Sequence, residues 1–194
     1  MARKVVANIT LSLDGRTTGP AGPYDMGWIV PHSITDMARD HLVAITDATT
    51  AVLGRSNYEG FGGFWPTVVD DESADERDRQ FAEWLNKTEK VVFSHTLEEL
   101  PWENSRAADR EPAEMIRQLR EEEGRDIYVL ASQSIIRHLL DAGEVDRLSI
   151  NLAPEVVGGG ARLFEDGLQA SSWTLTDLAT SDSGSVWLIY DRVR

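Results

Sequence analysis

The 194-residue sequence contains no cysteine. This absence excludes a disulfide framework, a thiolate metal site and a cysteine nucleophile. Histidine is also scarce, and the four histidines show none of the spacings that metal ligands have: His32, His41, His95 and His138. We therefore expect no metal site, because zinc centres without cysteine draw on clustered histidines and carboxylates.

Long apolar segments are missing as well. No stretch of the sequence approaches the roughly 20 apolar residues that a membrane-spanning helix needs. The chain begins Met1-Ala2-Arg3-Lys4 and continues into an apolar stretch too short for a secretory signal. These observations predict a cytoplasmic protein that does not enter a membrane.

Positive charge is in short supply. Lysine and arginine total 19 against 33 aspartate and glutamate residues, which gives a formal net charge of −14. A negative field repels phosphate backbones, so we expect no nucleic-acid partner. An anionic small molecule would have to be held by locally placed cations and by helix N-termini.

Hydrophobic patterning predicts strands that alternate with helices through most of the chain. Strands are expected at residues 5–13, 50–53, 90–93, 127–130, 148–152, 173–178 and 186–193. Helices are expected at residues 33–47, from 57 onward, and at 81–85, 112–123 and 132–142, the first capped by Ser33 and the second by Asn57. The acidic, aperiodic residues 69–79 are interpreted as a solvated loop and as the best candidate for disorder.

This order of elements predicts a three-layer α/β/α fold in a single domain spanning residues 1–194. Its sheet is mixed but mostly parallel, and residues 173–193 add an antiparallel hairpin. In such folds ligands bind beyond the carboxyl ends of the parallel strands.

Three apolar strands end in residues that suit an anion site. Leu53 is followed by Gly54, Arg55, Ser56 and Asn57; Phe93 by Ser94, His95 and Thr96; and Leu130 by Ala131, Ser132, Gln133 and Ser134. If the strands are neighbours, the three turns meet at one edge of the sheet and expose free N–H groups where helices begin. They predict a dinucleotide site in which Arg55 and His95 supply positive charge. Taken one at a time, each turn is better explained by a structural role, as a common helix cap, and Arg55 is compatible with a surface ion pair; the three turns together favour the dinucleotide site.

Four segments together resemble the dihydrofolate reductase superfamily, in the branch similar to the C-terminal reductase domain of the bifunctional riboflavin deaminase-reductase. They are Ser12–Arg16, Leu53–Phe61, Ile127–Ser132, and Asp146 with Pro154 and Val157–Phe164. The resemblance implies a dihydrofolate-reductase-like fold, NADPH as the cofactor and a homodimer paired through sheet edges or the terminal hairpin.

The resemblance also implies roles for single residues. Gly54, Arg55, Ser56 and Asn57 would bind the adenosine phosphates of NADPH, and Ser94, His95 and Thr96 would meet the 2′-phosphate. Ala131, Ser132, Gln133 and Ser134 form the pyrophosphate turn, where Ala131 replaces a usual glycine and its methyl group opposes a positive φ. The nicotinamide would lie against Ile9, Thr17 and Thr18.

On the substrate side, the resemblance points to Asn8, Trp28, Tyr58, Phe61, Gly159 and Asp166. A proton would come from Asp36, Thr10 or water. The riboflavin enzymes generally carry lysine in place of Asn8, threonine in place of Val30, and an arginine near Leu42. These three side chains bind the ribose phosphate of their substrate. None of the three is present here.

The sequence therefore predicts an NADPH-dependent reductase that transfers a hydride to a C=N, C=C or C=O carbon of a small, heterocyclic substrate. Two alternatives are a 5-amino-6-(5-phosphoribosylamino)uracil reductase of riboflavin biosynthesis and a non-catalytic nucleotide-binding module. A flavin or deazaflavin in the same cleft is a third.

Overall fold

The computed structural model describes residues 3–194, so Met1 and Ala2, which open the segment considered as a secretory signal, lie outside the described residues. Within that range the strands form one eight-stranded sheet in the order β4-β3-β2-β5-β1-β6-β8-β7. The strands are β1 (Val5–Ser12), β2 (Thr50–Gly54), β3 (Glu89–Phe93), β4 (Ser105–Ala107), β5 (Ile127–Leu130), β6 (Arg147–Ala153), β7 (Trp173–Thr180) and β8 (Val186–Arg192).

Helices cover both faces of this sheet. They are α1 (Val30–Ser33), α2 (Asp36–Ile45), α3 (Arg55–Val68), α4 (Glu76–Lys87), α5 (Pro112–Glu121) and α6 (Gln133–Asp141), with a 3₁₀ turn at Gly27–Ile29. None of these helices is both long enough and apolar enough to cross a membrane.

The sheet is parallel from β4 to β6 and antiparallel at its other end. β1 lies between β5 and β6, and both pairings are parallel. β8 pairs antiparallel with β6 and with β7, which forms the terminal hairpin. The predicted fold class, mixed and mostly parallel with an antiparallel C-terminal pair, is confirmed.

Alternation along β1 explains how the two faces are covered, because successive strand residues point to opposite sides of a sheet. Val5, Ala7, Ile9 and Leu11 are buried in a core cluster shared with α5 and α6. A second cluster on the opposite face unites β2, β3 and β5 with side chains of α2, α3 and α4. Asn8 and Thr10 of β1 point to that second face and are only half-buried.

Two predicted caps are wrong. α2 begins at Asp36, and its cap is Thr35, whose side chain accepts a hydrogen bond from Ala38 N at 3.2 Å. Ser33 belongs instead to the short α1. α3 begins at Arg55 after Gly54, which places Asn57 inside the first turn rather than at the cap.

The prediction of a long acidic loop at residues 69–79 is wrong in its second half. α3 runs to Val68, and α4 begins at Glu76, capped by Asp75, whose side chain accepts from Arg77 N. The helix predicted at 81–85 is therefore longer than expected. The short edge strand β4 was not predicted.

Candidate functional site

A cavity of about 650 Å³ lies at the carboxyl edge of the parallel strands. The turns after β2, β3 and β5 meet there because these strands are neighbours and run in the same direction. Every residue predicted to bind the cofactor lines the cavity except Ile9, which is 4% exposed in the core. The lining residues from that set are Thr17, Thr18, Gly54, Arg55, Ser56, Asn57, Ser94, His95, Thr96, Ala131, Ser132, Gln133 and Ser134.

Three helices begin at this cavity. The first residues of α3, α5 and α6 are Arg55, Pro112 and Gln133, and all three line it. Helix N-termini carry unpaired N–H groups and a positive partial charge. The three N-termini therefore offer the cavity local positive partial charge in a molecule whose net charge is −14, although the carboxylate of Glu111 also lines it.

A hydrogen-bonded joint fixes two of the turns to each other. The buried Ser132 hydroxyl donates to Leu130 O at 2.8 Å and accepts from Gly54 N at 2.8 Å. Asn57 Nδ2 donates to Ala131 O at 3.1 Å. Ser132 and Asn57 thus hold the turns after β2 and β5 against each other with their side chains.

Ala131 adopts the left-handed backbone conformation, with φ at +49°. This is the conformation that glycine adopts without steric cost and that alanine adopts only with strain. The turn therefore has the backbone shape that a glycine would give, despite the methyl group.

Positive side chains stand around the cavity, although part of their charge is already engaged. Arg55 donates to Thr96 Oγ1 at 2.6 Å and pairs with Glu59 at 3.1 Å, with about half of its side chain exposed. Arg110 and His138 also line the cavity, and neither was predicted. Arg110 lies between β4 and α5, so it was missed together with β4.

The loop after β1 closes the site from the other side. Thr17 donates to Gln133 Oε1 at 3.1 Å, and Gln133 donates to Arg162 O at 2.6 Å. Asp14 accepts from the N–H groups of Val157 and Gly158, each at 3.0 Å. A hydrogen bond from the Ser12 hydroxyl, together with these two backbone contacts, lowers the pKa of Asp14 well below its usual range. The loop and the glycine turn at 158–160 are therefore one connected wall.

The residues predicted for the substrate side are dispersed. Tyr58 is buried in the second core cluster, where its hydroxyl accepts from Trp102 N at 3.0 Å, and Phe61 packs against the same cluster. Trp28 is half-buried and its indole N–H has no partner among residues 3–194. Asp166 is exposed on the surface. We assign none of these four a contact with the cavity described above.

The remaining substrate-side residues lie along β1 and at the glycine turn. Asn8 sits beside the cavity, since its main-chain carbonyl accepts from Ala131 N at 2.8 Å. Thr10 follows two residues later on the same face. Gly159 packs against Pro20 in the loop after β1.

Asp36 lies away from these groups. Its side chain is 85% exposed and pairs with Arg77 at 2.5 Å. It lines a different depression, between α2 and the β7–β8 hairpin. The position therefore favours a role in attaching α4 to α2, not a role beside the cavity.

The sequence matches the family model described as the RibD C-terminal domain over residues 3–187. The chain belongs to the RibD C-terminal domain family. The resemblance found in the sequence is thereby confirmed.

Individual relatives of this RibD C-terminal domain are distant in sequence. The uncharacterized protein YyaP of Bacillus subtilis (strain 168) is 24% identical over 189 residues, which cover 97% of this chain and 94% of that protein. A putative riboflavin biosynthesis protein from Shewanella sp. PV-4 superposes with a TM-score of 0.72 at 20% identity, covering both chains fully. Dihydrofolate reductase from Enterococcus faecalis, complexed with NADP(H) and RAB-propyl, superposes with a TM-score of 0.59 at 14% identity, again over both full chains. At these identities the superpositions establish the dihydrofolate-reductase-like fold and nothing beyond the fold.

Proposed function

We propose that this member of the RibD C-terminal domain family is an NADPH-dependent reductase acting on a small heterocyclic substrate. The observation that carries the proposal is the convergence of three strand-end turns and three helix N-termini on one cavity. Such an arrangement suits the phosphates of a dinucleotide. A relative in fold, the Enterococcus faecalis enzyme, was solved with NADP(H).

The residues present fit this cofactor. Ala131 has the left-handed backbone of the glycine it replaces, α6 begins at the cavity, and Arg55 has a planar guanidinium suited to a phosphate. Arg110 adds a second guanidinium to the cavity lining and pairs with Asp109 at 3.3 Å. A bound reduced nicotinamide supplies a hydride, while the protein's task is to orient two planar rings and exclude water.

Thr10 is the residue that we assign to proton transfer. Its side chain is half-buried on β1, two residues after Asn8, and a hydroxyl both donates and accepts. It can therefore pass on a proton received from water. Asp36 is left out of this role because its carboxylate is held in an exposed ion pair with Arg77.

The proposal is tested by fluorescence titration with NADPH and NADH. We expect the wild type to bind NADPH more tightly, because the 2′-phosphate is held by charged hydrogen bonds worth about 1.5–3 kcal/mol each. Arg55→Ala and Arg110→Ala should each weaken NADPH binding by roughly 10- to 100-fold and NADH binding much less. The control is Arg117→Ala, since Arg117 is an exposed arginine of α5 that pairs with Glu144 outside the cavity. Equal wild-type affinities for the two cofactors would remove the stated preference.

Oxidation of the bound NADPH, followed after candidate substrates are added, separates an enzyme from a binding module. Binding of NADPH without its oxidation in the presence of cyclic imines, enones or ketones would favour the non-catalytic alternative. The riboflavin-pathway alternative is tested by complementation of a strain that lacks that reductase domain. We expect no complementation, since Asn8, Val30 and Leu42 offer no cation for a ribose phosphate.

We also propose a homodimer formed through the terminal hairpin. β7 is an edge strand, and all of its residues after Trp173 are exposed. Leu175 and Leu178 are 46% and 54% exposed on it. An open edge with apolar side chains is a surface that proteins usually cover.

A further inference from the structure

The sequence contains two Asp-Gly dipeptides, and the fold places them in opposite surroundings. One is Asp14–Gly15, in the loop after β1, and the other is Asp166–Gly167, between the glycine turn at 158–160 and β7. Aspartate followed by glycine is the pair at which a protein chain most readily rearranges, because glycine has no side chain to shield its amide nitrogen. What each pair can do therefore depends on how the fold holds its carboxylate and its amide.

Asp166 and Gly167 form a turn whose reacting groups are not engaged. Both residues are exposed, and no atom of a non-neighbouring residue lies within 4 Å of the place where a Cβ atom at Gly167 would be. Across residues 3–194, neither the carboxylate of Asp166 nor the N–H of Gly167 has a hydrogen-bond partner in the protein. The two groups that would react are thus open to water and free to approach each other.

The segment is attached to α6 on both sides of this pair. Glu165 pairs with Arg137 at 2.7 Å, and Gln169 N donates to the carboxylate of Asp141 at 3.1 Å. Arg137 and Asp141 lie one turn apart on the same helix. These attachments hold the ends of the segment, so the exposed tip between them can accommodate an altered backbone while the rest of the protein stays folded.

The pair in the loop after β1 is held in an unreactive form. The carboxylate of Asp14 accepts from Ser12 Oγ at 2.7 Å, as well as from the N–H groups of Val157 and Gly158. The Ser12 hydrogen bond and then the backbone contacts keep the pKa of Asp14 well below its usual range, so the group stays ionised. Gly15 N donates to Ser12 O at 2.9 Å, which engages the nitrogen that would attack.

We infer that Asp166 is a site of covalent self-modification, at which the folded protein converts aspartate to isoaspartate while Asp14 is protected. The main-chain nitrogen of Gly167 attacks Cγ of the neutral Asp166 carboxyl group and forms an N–C bond. The carboxyl hydroxyl leaves with the amide proton as water, which closes a five-membered succinimide. The ring then takes up one water molecule, and opening at the α-carbonyl gives isoaspartate of unchanged mass.

The product differs from the original chain at an exposed turn. Its main chain runs through Cβ of residue 166, which adds one methylene before Gly167, and a free α-carboxylate replaces the side-chain carboxylate. An exposed α-carboxylate of this kind is the group that isoaspartate-specific protein methyltransferases esterify with a methyl group from S-adenosylmethionine. Asp166 is therefore the residue at which we expect an enzyme of that class to act on this protein.

Peptide mapping of stored protein tests the inference. The folded protein is kept at neutral pH and digested at intervals, and electron-transfer dissociation distinguishes isoaspartate from aspartate in the peptides that contain residues 14 and 166. We expect the isoaspartate fraction at residue 166 to grow and to exceed that at residue 14 by about tenfold or more, the factor that corresponds to one charge-assisted hydrogen bond. In protein unfolded with guanidinium chloride the ratio should approach one, because both pairs are Asp-Gly.

Two variants separate the chemistry from the surroundings. Asp166→Glu would require a six-membered ring, so it should abolish the signal at residue 166. Ser12→Ala removes the hydroxyl contact on Asp14 and should raise the isoaspartate fraction at residue 14 without changing that at residue 166. Equal fractions at the two residues of the folded wild type would overturn the inference, and so would an Asp166 that stays unmodified in the folded protein.

Discussion

The backbone of Ala131 shows how a single residue departs from its family pattern without changing the shape of the site. Alanine at φ +49° keeps the turn that glycine gives, at the cost of strain between its methyl group and the backbone. The sequence identified Ala131 as the residue that replaces glycine. It did not show whether the methyl group prevents a positive φ, because that depends on the hydrogen bonds of Asn57 and Ser132.

Relief of this strain is measurable. Ala131→Gly should raise the free energy of unfolding by about 1 kcal/mol, because alanine at a positive φ costs more than glycine loses in chain entropy. Urea denaturation of both proteins measures the difference. The control is Ala142→Gly, at an exposed residue with φ at −74°, where the same substitution should destabilise. A destabilised Ala131→Gly would show that the turn is not strained.

His41 makes stability depend on pH. Its folded-state pKa is about 3 against an ordinary 6.5, so below pH 6.5 the unfolded chain binds a proton that the folded protein does not. This contribution to stability is present above pH 6.5 and is lost as the pH falls. Between pH 7 and pH 5 the loss should be about 2 kcal/mol.

Urea denaturation at several pH values checks this expectation. His41→Gln should lose most of the pH dependence between pH 7 and pH 5, whereas the exposed His138→Gln should retain it. Parallel curves for wild type and His41→Gln would contradict the assignment of this dependence to His41.

At the scale of elements, the sequence predicted those strands and helices whose apolar pattern is continuous. β5 and α6 are examples, since the four-residue strand is apolar and α6 buries Ile135, Ile136, Leu139 and Leu140 on one face. β4 was missed because its three residues, Ser105–Ala107, have no apolar pattern; they form a strand by pairing with β3. The start of α4 was missed because residues 76–79 are all charged and show no apolar periodicity, although Asp75 is an ordinary N-cap residue.

The N-cap of α2 is tested by comparing how much stability is lost when the hydroxyl of Thr35 or of Ser33 is removed. Thr35→Ala should destabilise the protein by about 1 kcal/mol, the usual cost of losing an N-cap hydrogen bond. Ser33→Ala should have a smaller effect, because Ser33 is exposed and bonds only to Val30 O within its own turn. Thermal or urea unfolding of the two variants is sufficient. An equal or larger loss in Ser33→Ala would restore the cap predicted from sequence.

At the scale of the whole molecule, the order of strands and helices along the sequence was sufficient to predict that the cavity lies at the carboxyl edge of the sheet. It was not sufficient to predict where the substrate-side residues lie. Parallel neighbours bring their carboxyl ends together whatever the side chains are, so the turns after β2, β3 and β5 were bound to meet. Tyr58 and Phe61 sit on a helix that faces the core, and only the rotation of α3 reveals which of its aromatic residues are buried.

The oligomeric state also belongs to this scale. Light scattering should give twice the mass of the 21.6 kDa chain. Leu178→Glu, which places a charge on the exposed β7 edge, should shift the protein towards monomer. Val156→Glu alters a residue that is 73% exposed and lies outside the hairpin, and it should leave the mass unchanged. A wild type of monomer mass would refute the homodimer.

The contact between Gly160 and the loop after β1 has a consequence for how this cavity is shaped. A Cβ atom at Gly160, where φ is +89°, would overlap the carbonyl oxygen of Thr18. Thr17 and Thr18 form part of the cavity lining. Their position therefore requires that residue 160 is a glycine, without a Cβ atom. Enlarging residue 160 would push that lining inward or lift it away, and the space offered to a substrate would change although the altered residue never touches it.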